Sequence, residues 1–329
     1  MCTAISYLGE SHYFGRNLDL EHQYSEQVVV CPRQFPIAGS RHHSALIGMA
    51  TVAEGYPLYY EATNEYGLSA AALNFPGNGV YHNPAAGKEA CASFDLIPYV
   101  LTRCKNAAEA RALLENTIIT DTPFSDAFPP TALHWLIADR ERSFVVESMA
   151  DGLHLYDNPA GVLTNNPPFP YMLHQLSFYM GISPKQPENH IAPGLSLAPF
   201  SRGLGGVGIP GDHSSPSRFV RAAFALHNSP MDGGVGQFFH ILGAVEQVDG
   251  CVQVEEKFEK TIYSCCCDTQ RGIYYYCTYQ NRQLTAIDMH KENLDGDSLS
   301  RFPLVTEQQI RWENCELRVE MSALLKLQM

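Results

Sequence analysis

The chain has 329 residues, of which 45% are hydrophobic and 17% are charged, a globular composition with enough material for a sizeable core. Its formal net charge of −13 argues against nucleic acid or an anionic membrane as a partner, since both attract basic patches. We expect no secretory leader and no membrane span, because Glu10, Arg16 and Asp19 interrupt the place where an apolar leader core would lie. The ten cysteines are then expected to be reduced thiols in the cytoplasm.

The opening of the chain predicts β-structure throughout. A hairpin turning through Gly9-Glu10-Ser11 comes first, and a valine-rich run and several runs of alternating apolar and small residues follow. The predicted strands of this part are 4–7, 13–15, 27–31, 44–52, 56–64 and 68–74.

Helical spacing appears in two pairs of segments. Residues 94–104 form the first predicted helix, and the second begins after Asn106, an N-cap residue with Glu109 three positions on, as in a capping box. A second pair is predicted over 217–227 and 235–245.

Further strands are predicted between and after the helix pairs, over 131–138, 143–148, 153–156, 261–267, 272–279 and 284–289. The order is therefore sheet, helix pair, sheet, helix pair, sheet. This order predicts an α+β fold in which two antiparallel sheets pack together and helices cover the outer side of each. No low-complexity linker divides the chain, so residues 2–329 are predicted to form a single domain.

Two motifs suggest cofactor or metal binding but lack the required context. Residues 203–208 match G-x-G-x-x-G, yet no strand precedes them and Pro210-Gly211-Asp212 separates them from the next helix, so a loop is predicted. Cys265-Cys266-Cys267 lies in a predicted strand, where neighbouring side chains point to opposite faces, and no C-x-x-C occurs. No H-E-x-x-H pair and no G-x-S-x-G elbow occurs either, so neither a metal nor a cofactor is expected.

Cys2 follows the initiator methionine, and its small side chain permits removal of Met1. Cys2 would then carry a thiol and a free α-amine on the same residue. The reference pKa of an α-amine is roughly 7.7–8.0, so near neutral pH the amine can take the thiol proton and return it to a leaving group. This arrangement predicts N-terminal nucleophile catalysis. Arg16 would favour the thiolate and Asp19 would hold the amine. The alternative is a buried strand whose cysteine is only a small hydrophobic residue.

Three polar stretches lie at the ends of predicted elements and could complete such a site, or could simply be turns and caps. They are Asn74-Phe75-Pro76-Gly77, Thr164-Asn165-Asn166-Pro167 and Ser214-Ser215-Pro216-Ser217-Arg218-Phe219. With Cys2-Thr3-Ala4-Ile5-Ser6-Tyr7 and His12-Tyr13-Phe14-Gly15-Arg16-Asn17, they make the sequence similar to the choloylglycine hydrolase family of N-terminal nucleophile hydrolases over nearly its whole length.

The resemblance implies a four-layer αββα sandwich and hydrolysis of the amide that joins a bile acid to glycine or taurine, as in glycocholate and taurocholate. It also implies a homotetramer. The site residues it implies are Cys2 as nucleophile, Arg16 beside the thiolate, Asp19 at the amine, Arg218 as a brace, and Asn74 and Asn165 as the oxyanion hole. Asn165 is preferred to Asn166 because the family motif aligns on the Asn directly after the Thr.

A bile acid needs a wide apolar slot, and candidate lining residues lie at strand ends or in loops near the predicted site, although each could equally belong to the core. They are Leu18, Leu20, Tyr24, Tyr60 and Phe128. The family also contains penicillin V acylases and acylases of N-acyl homoserine lactones, which remain alternatives. The bile-salt branch tends to carry Asn where penicillin acylases often carry Tyr, and this chain has Asn74. A non-catalytic binder of amphipathic anions is a further alternative.

Overall fold

Two antiparallel sheets form the centre of the fold in the computed structural model, which describes residues 1–192 and 194–314. The strands in chain order are β1 Cys2–Leu8, β2 His12–Leu20, β3 Gln27–Cys31, β4 Leu46–Ala53, β5 Tyr56–Asn64, β6 Ser69–Asn74, β7 Glu89–Ala92, β8 Thr117–Thr120, β9 Leu133–Ala138, β10 Ser143–Met149, β11 Gly152–Asp157, β12 Val162–Leu163, β13 Val252–Val254, β14 Lys257–Asp268, β15 Ile273–Thr278, β16 Thr285–Asp288 and β17 Ser300–Pro303. The α-helices are α1 Leu96–Arg103, α2 Ala107–Glu115, α3 Phe169–Leu176, α4 Ser215–His227 and α5 Val235–Gly243.

The first sheet has the strand order β12-β1-β2-β14-β15-β16, with β13 paired to one end of β14. The second sheet has the order β11-β10-β9-β6-β5-β4-β3-β17. β7 and β8 form a separate parallel pair. The N-terminal strand β1 therefore lies inside the first sheet, with β2 on one side and β12 on the other.

The helices cover the outer faces of the sheets. α1 packs on β5 and β6 of the second sheet, whereas α4 packs on β1 and β12 and α5 on β14 and β2 of the first sheet. The inner faces meet where β6 contacts β1 and β2. These contacts define four layers in the order helix, sheet, sheet, helix, which confirms the predicted α+β sandwich.

The structure contains the predicted strands and both helix pairs, with boundaries displaced by a few residues. The side chain of Asn106 accepts a hydrogen bond from the backbone nitrogen of Glu109 at 2.9 Å, so the predicted N-cap is confirmed. The three consecutive cysteines lie in β14, and the glycine run at 203–208 lies in the loop between α3 and α4. The pair β7–β8 and the short strands β12, β13 and β17 were not predicted.

Among residues 1–192 and 194–314, no helix is long and apolar enough to cross a bilayer. Residues 315–329 of the predicted domain lie outside the described part of the chain.

Candidate active site

The alternation of side chains along β1 and β2 divides the residues around Cys2 between two faces of the first sheet. Cys2 pairs with Leu18, and both residues line a cavity of about 600 Å³. Their neighbours Thr3 and Asn17 also form a pair, but they contact the helical layer, Thr3 through Arg218 of α4 and Asn17 through the backbone of α5. Because successive strand residues point to opposite faces, the thiol faces the cavity while groups from the helices reach its backbone from behind.

Asn165 and Arg218 hold the backbone of Cys2. The nitrogen of Cys2 donates a hydrogen bond to Asn165 Oδ1 at 2.8 Å. Arg218 Nη2 donates to the same oxygen at 2.8 Å, and its Nη1 donates to Thr3 Oγ1 at 2.6 Å and to the carbonyl oxygen of Cys2. All of these groups are buried, so the first residues of β1 are fixed by charge-assisted hydrogen bonds.

Asp19 lies on the helical side of the first sheet, close to the same arginine. Its Oδ1 accepts a hydrogen bond from Thr261 Oγ1 at 2.7 Å, and its Oδ2 lies 4.0 Å from Arg218 Nη1. Oδ2 is buried and accepts no hydrogen bond within the described residues. Burial raises the pKa of Asp19, and the positive charge of Arg218 opposes that rise. One carboxylate oxygen of Asp19 is thus available to accept a hydrogen bond.

The α-amine of Met1 occupies a polar position at the edge of this cluster. It donates to the carbonyl oxygen of Asp19 at 2.7 Å and to Glu259 Oε2 at 2.7 Å. While Met1 is attached, the nitrogen of Cys2 is a peptide N–H and already donates to Asn165. A peptide nitrogen has no basic lone pair, so it cannot take the thiol proton.

Arg16 lies between the two sheets, on the cavity side. Its Nη1 donates to the carbonyl oxygens of Tyr60, at 3.2 Å, and of Ala72. Tyr60 and Ala72 lie next to the pair Glu61 and Ala71, which is the last one between β5 and β6. The guanidinium therefore occupies the place where the two strands separate. Burial acts to lower the pKa of Arg16, but the negative charges available on Cys2 and Glu61 outweigh it, and the pKa lies above its ordinary value. Arg16 is therefore a permanent cation on the same cavity wall as the thiol.

The two predicted oxyanion-hole residues use their hydrogen-bonding groups differently. Asn165 donates its Nδ2 to the carbonyl oxygen of Asn74 at 2.8 Å and its backbone nitrogen to Ser215 Oγ at 2.8 Å. The backbone donor of Asn165 and one of the two hydrogens on its Nδ2 are therefore engaged. The side chain of Asn74 lines the cavity and makes no hydrogen bond within the described residues. Asn166 instead donates to the carbonyl oxygen of Pro76 at 2.6 Å, away from Cys2.

A buried histidine supports both asparagine segments. His134 Nδ1 lies 3.1 Å from Glu147 Oε1, and its Nε2 lies 2.9 Å from the carbonyl oxygen of Thr164, the residue before Asn165. The imidazole also stacks on Phe75, the residue after Asn74, with the ring centroids 4.3 Å apart. His134 thus ties together the two segments that carry the asparagines.

The cavity that Cys2 and Arg16 share is mostly apolar. All five residues predicted from the sequence to line a slot are on its wall, namely Leu18, Leu20, Tyr24, Tyr60 and Phe128. Residues of the loop 124–131, of the turn before α1 and of α1 itself complete the wall, including Phe94, Ile97, Phe124, Pro129 and Pro130. Within residues 1–192 and 194–314, no group of three or more His, Cys, Asp or Glu side chains could hold a metal ion.

Sequence reasoning missed several residues that contact the predicted site. They are Glu61 beside Arg16, Thr261 beside Asp19, and His134 beside Thr164. Glu61 is the single charged residue of β5, and His134 is the single polar residue of the otherwise apolar β9, which is the signal that could have found them. Thr261 carries no such signal, since threonine is common in strands. Ser215, which bonds to Asn165, lies in one of the polar stretches that the sequence singled out.

Comparison with known proteins agrees with this geometry. The family model described as linear amide C–N hydrolases, choloylglycine hydrolase family, matches residues 2–302. The chain is 45% identical over 319 residues to the bile salt hydrolase/transferase of Lactiplantibacillus plantarum, covering 94% of this chain and 98% of that protein. A mutant conjugated bile acid hydrolase from Clostridium perfringens superposes with a TM-score of 0.90 at 34% identity, covering 95% of this chain and 100% of that chain. A penicillin V acylase from Agrobacterium tumefaciens has the same fold, with a TM-score of 0.71 at 20% identity, and covers 91% of this chain and 90% of its own.

The αββα fold and these similarities define a hydrolase of linear amide bonds with the N-terminal nucleophile architecture. The chain belongs to the choloylglycine hydrolase family.

Proposed function

We propose that the protein hydrolyses the amide bond of glycine- and taurine-conjugated bile acids, with Cys2 as the nucleophile. One observation carries this proposal: the thiol-bearing residue and a buried cation, Arg16, share the wall of a largely apolar cavity of about 600 Å³. An apolar cavity suits the steroid part of the substrate, since ligand sites are lined mainly by hydrophobic side chains. The names of the relatives from Lactiplantibacillus plantarum and Clostridium perfringens support the substrate class.

The first half of the reaction follows from the groups around Cys2. After removal of Met1, the α-amine takes the thiol proton and the sulfur attacks the carbonyl carbon of the substrate. The free side-chain amide of Asn74 donates to the oxyanion, and one such donor contributes roughly 2.7–4 kcal/mol to lowering the barrier. The C–N bond breaks, the leaving nitrogen receives the proton from the α-ammonium group, and glycine or taurine departs.

The second half of the reaction restores the thiol. The α-amine takes a proton from water, and the resulting hydroxide attacks the thioester carbonyl. The C–S bond breaks, free bile acid leaves, and the sulfur regains the proton. Arg16 stabilises the departing thiolate because it is a permanent positive charge.

The amine itself must be oriented for both halves. Asn165 Oδ1, held by Arg218, is the acceptor for one of its hydrogens, and the free Oδ2 of Asp19 is available to another. We therefore propose that Asn165, Arg218 and Asp19 position the amine, and that Asn74 is the main side-chain donor to the oxyanion.

Incubation of the purified, Met1-free enzyme with glycocholate and taurocholate tests the substrate. We expect release of free cholate with the amino acid, and no release from Cys2→Ser, because serine is a poorer nucleophile beside the same amine. A wild-type enzyme that releases no cholate from either conjugate would reject the proposal. If neither the wild type nor Cys2→Ser releases cholate and both bind the conjugate equally well, the protein is instead a non-catalytic binder of amphipathic anions.

Related amides are the remaining enzymatic alternatives. Penicillin V and N-acyl homoserine lactones are cleaved by the same chemistry, so the reaction centre alone does not distinguish them. Comparison of kcat/KM among these substrates and glycocholate measures the difference in transition-state stabilisation. We expect the bile acid conjugate to have the highest value.

We also propose a cytoplasmic location, which the free cysteine thiols favour, and a homotetramer, which the resemblance implies. Cell fractionation followed by immunodetection tests the first. Light scattering of the purified protein tests the second, with a mass of about four chains expected.

A further inference from the structure

The apolar wall of the cavity contains one pair of hydrogen-bonded hydroxyl groups, Tyr60 and Thr51. The hydroxyl oxygens of these two residues lie 2.9 Å apart, and both residues line the cavity. Two other lining tyrosines direct their hydroxyls to protein acceptors, Tyr24 to Glu21 and Tyr59 to the carbonyl oxygen of Val29. The pair is therefore a distinct polar position inside a mostly hydrophobic slot.

A β-bulge places Tyr60 on this wall. β5 pairs with β4 through Glu61↔Met49 and Tyr59↔Ala50, and the register shifts between Met49 and Ala50. Tyr60 is thus the extra residue of β5 at the bulge. Tyr59 packs in the core on the outer side of the second sheet, whereas Tyr60 packs against the core between the sheets. Bulges are common beside active sites because they redirect a side chain in this way.

The neighbours of the pair determine the direction of its hydrogen bonds. Thr51 Oγ1 lies 3.0 Å from the carbonyl oxygen of Tyr24, which can only accept, so the Thr51 proton goes to that carbonyl. The hydrogen bond between the two hydroxyls then requires Tyr60 to donate to Thr51 Oγ1. The proton of Tyr60 is used, and its oxygen retains a free lone pair for a donor. Burial raises the pKa of Tyr60 and keeps this hydroxyl protonated.

We propose that the hydroxyl oxygen of Tyr60 accepts a hydrogen bond from a hydroxyl group on the ring system of the substrate's acyl part, and so selects hydroxylated acyl groups. This inference rests on the proposed function. If the ring carbon carries hydrogen instead of a hydroxyl, the Tyr60 oxygen has no hydrogen-bond partner once the substrate has excluded water. If it carries a ketone, the ketone oxygen and the Tyr60 oxygen are two acceptors that face each other. A site built to bond a substrate hydroxyl discriminates strongly against analogues that lack it, because its own polar group is then left unpaired.

The test uses glycine-conjugated steroid acids that differ at one ring carbon, which carries a hydroxyl, an oxo group or hydrogen. For at least one ring position, we expect the wild-type kcat/KM to be tenfold or more higher for the hydroxyl than for the other two. Tyr60→Phe is expected to reduce these ratios to within about twofold, because it removes the acceptor. Tyr99→Phe deletes a hydroxyl that bonds to Glu89 away from the cavity, and serves as the matched control that keeps the wild-type ratios.

A second variant tests the direction of the hydrogen bonds. Thr51→Val removes the acceptor of the Tyr60 proton, so Tyr60 becomes free to donate to the substrate. The kcat/KM of the oxo conjugate should then rise relative to that of the hydrogen analogue. A merely structural role for the pair predicts equal losses on all three conjugates. The inference is overturned if Tyr60→Phe keeps the wild-type ratios, or if the wild type cleaves all members of the series equally. Absence of wild-type cleavage of every conjugate would instead reject the proposed function.

Discussion

Arg16 and Glu61 form a buried ion pair between the two sheets, with Arg16 Nε 3.8 Å from Glu61 Oε2. Glu61 Oε2 also accepts from the Tyr263 hydroxyl at 2.8 Å, and its Oε1 accepts from the Tyr274 hydroxyl at 2.6 Å. Both members of the pair are almost fully inaccessible to solvent, at 1% and 2% exposure. The carboxylate that compensates the charge of Arg16 is thus itself held by two tyrosines of the first sheet.

Glu61→Gln should strongly destabilise the protein. The variant preserves the size of the side chain but leaves the charge of Arg16 buried without a counter-ion, and breaking a buried pair in this way costs about 3–5 kcal/mol. Urea denaturation measures the free energy of unfolding. The matched control is Tyr274→Phe, which removes one hydrogen bond to the carboxylate and should cost less, about 1.5–3 kcal/mol. A loss below about 1 kcal/mol in Glu61→Gln would show that the pair is not electrostatically important.

Asn74→Ala and Asn165→Ala should impair catalysis in different ways. Removal of Asn74, the proposed oxyanion donor, should reduce kcat by roughly 10²–10³, the loss typical of such donors in enzymes, without displacing the pH dependence of kcat/KM. Asn165→Ala removes an acceptor at the nitrogen of Cys2, so its pH–rate profile should move as well. Initial rates with glycocholate between pH 4 and 9 measure both effects. If the pH–rate profiles of both variants have the same position as that of the wild type, the two asparagines do not have separate roles.

Activity should depend on removal of Met1, because the proposed base is the α-amine of Cys2. Protein produced while methionine aminopeptidase is inhibited should carry Met1 and hydrolyse no conjugate. The fraction of chains without Met1, measured by intact-mass spectrometry, should be proportional to kcat across preparations. Full activity in material that retains Met1 would show that another group takes the thiol proton.

His12 should make the protein less stable in acid. Burial lowers the pKa of this histidine to about 4, whereas its ordinary value is 6.5. Below pH 6.5 the unfolded chain therefore binds a proton that the folded chain does not. The contribution of neutral His12 to the free energy of unfolding is complete above about pH 6.5. It is lost progressively as the pH falls to about 4, a total of about 3 kcal/mol at 1.36 kcal/mol per pKa unit.

Urea denaturation of the wild type and of His12→Gln at several pH values between 4 and 7 measures this contribution. The free-energy difference between the two proteins should decrease as the pH falls, since glutamine does not titrate. His12 makes hydrogen bonds to Ser6 and Thr269, so the variant is expected to be less stable at pH 7. A difference that stays constant with pH would contradict the titration of His12.

Local patterns were sufficient for much of this fold. Strand alternation, the Asn106 cap and the helical spacing of α4 depend on neighbours within a few residues, so the element order and the α+β class could be predicted. The strand after Cys2 was predicted in the same way, although β1 begins two residues earlier than expected, at Cys2 itself. The resemblance to a family then selected Asn165, although Asn166 is an identical residue beside it.

Tertiary structure alone decided how those residues are used. The hydrogen bond from the nitrogen of Cys2 to Asn165 joins residues that are 163 positions apart, and the contact of Asp19 with Thr261 spans 242. The bulge that turns Tyr60 into the cavity depends on the register between β4 and β5. The sequence by itself determined which residue types were available and where strands and helices form. Which donor remains free, as in Asn74, and which carboxylate neutralises Arg16 depend on contacts between distant segments, and no local pattern encodes those contacts.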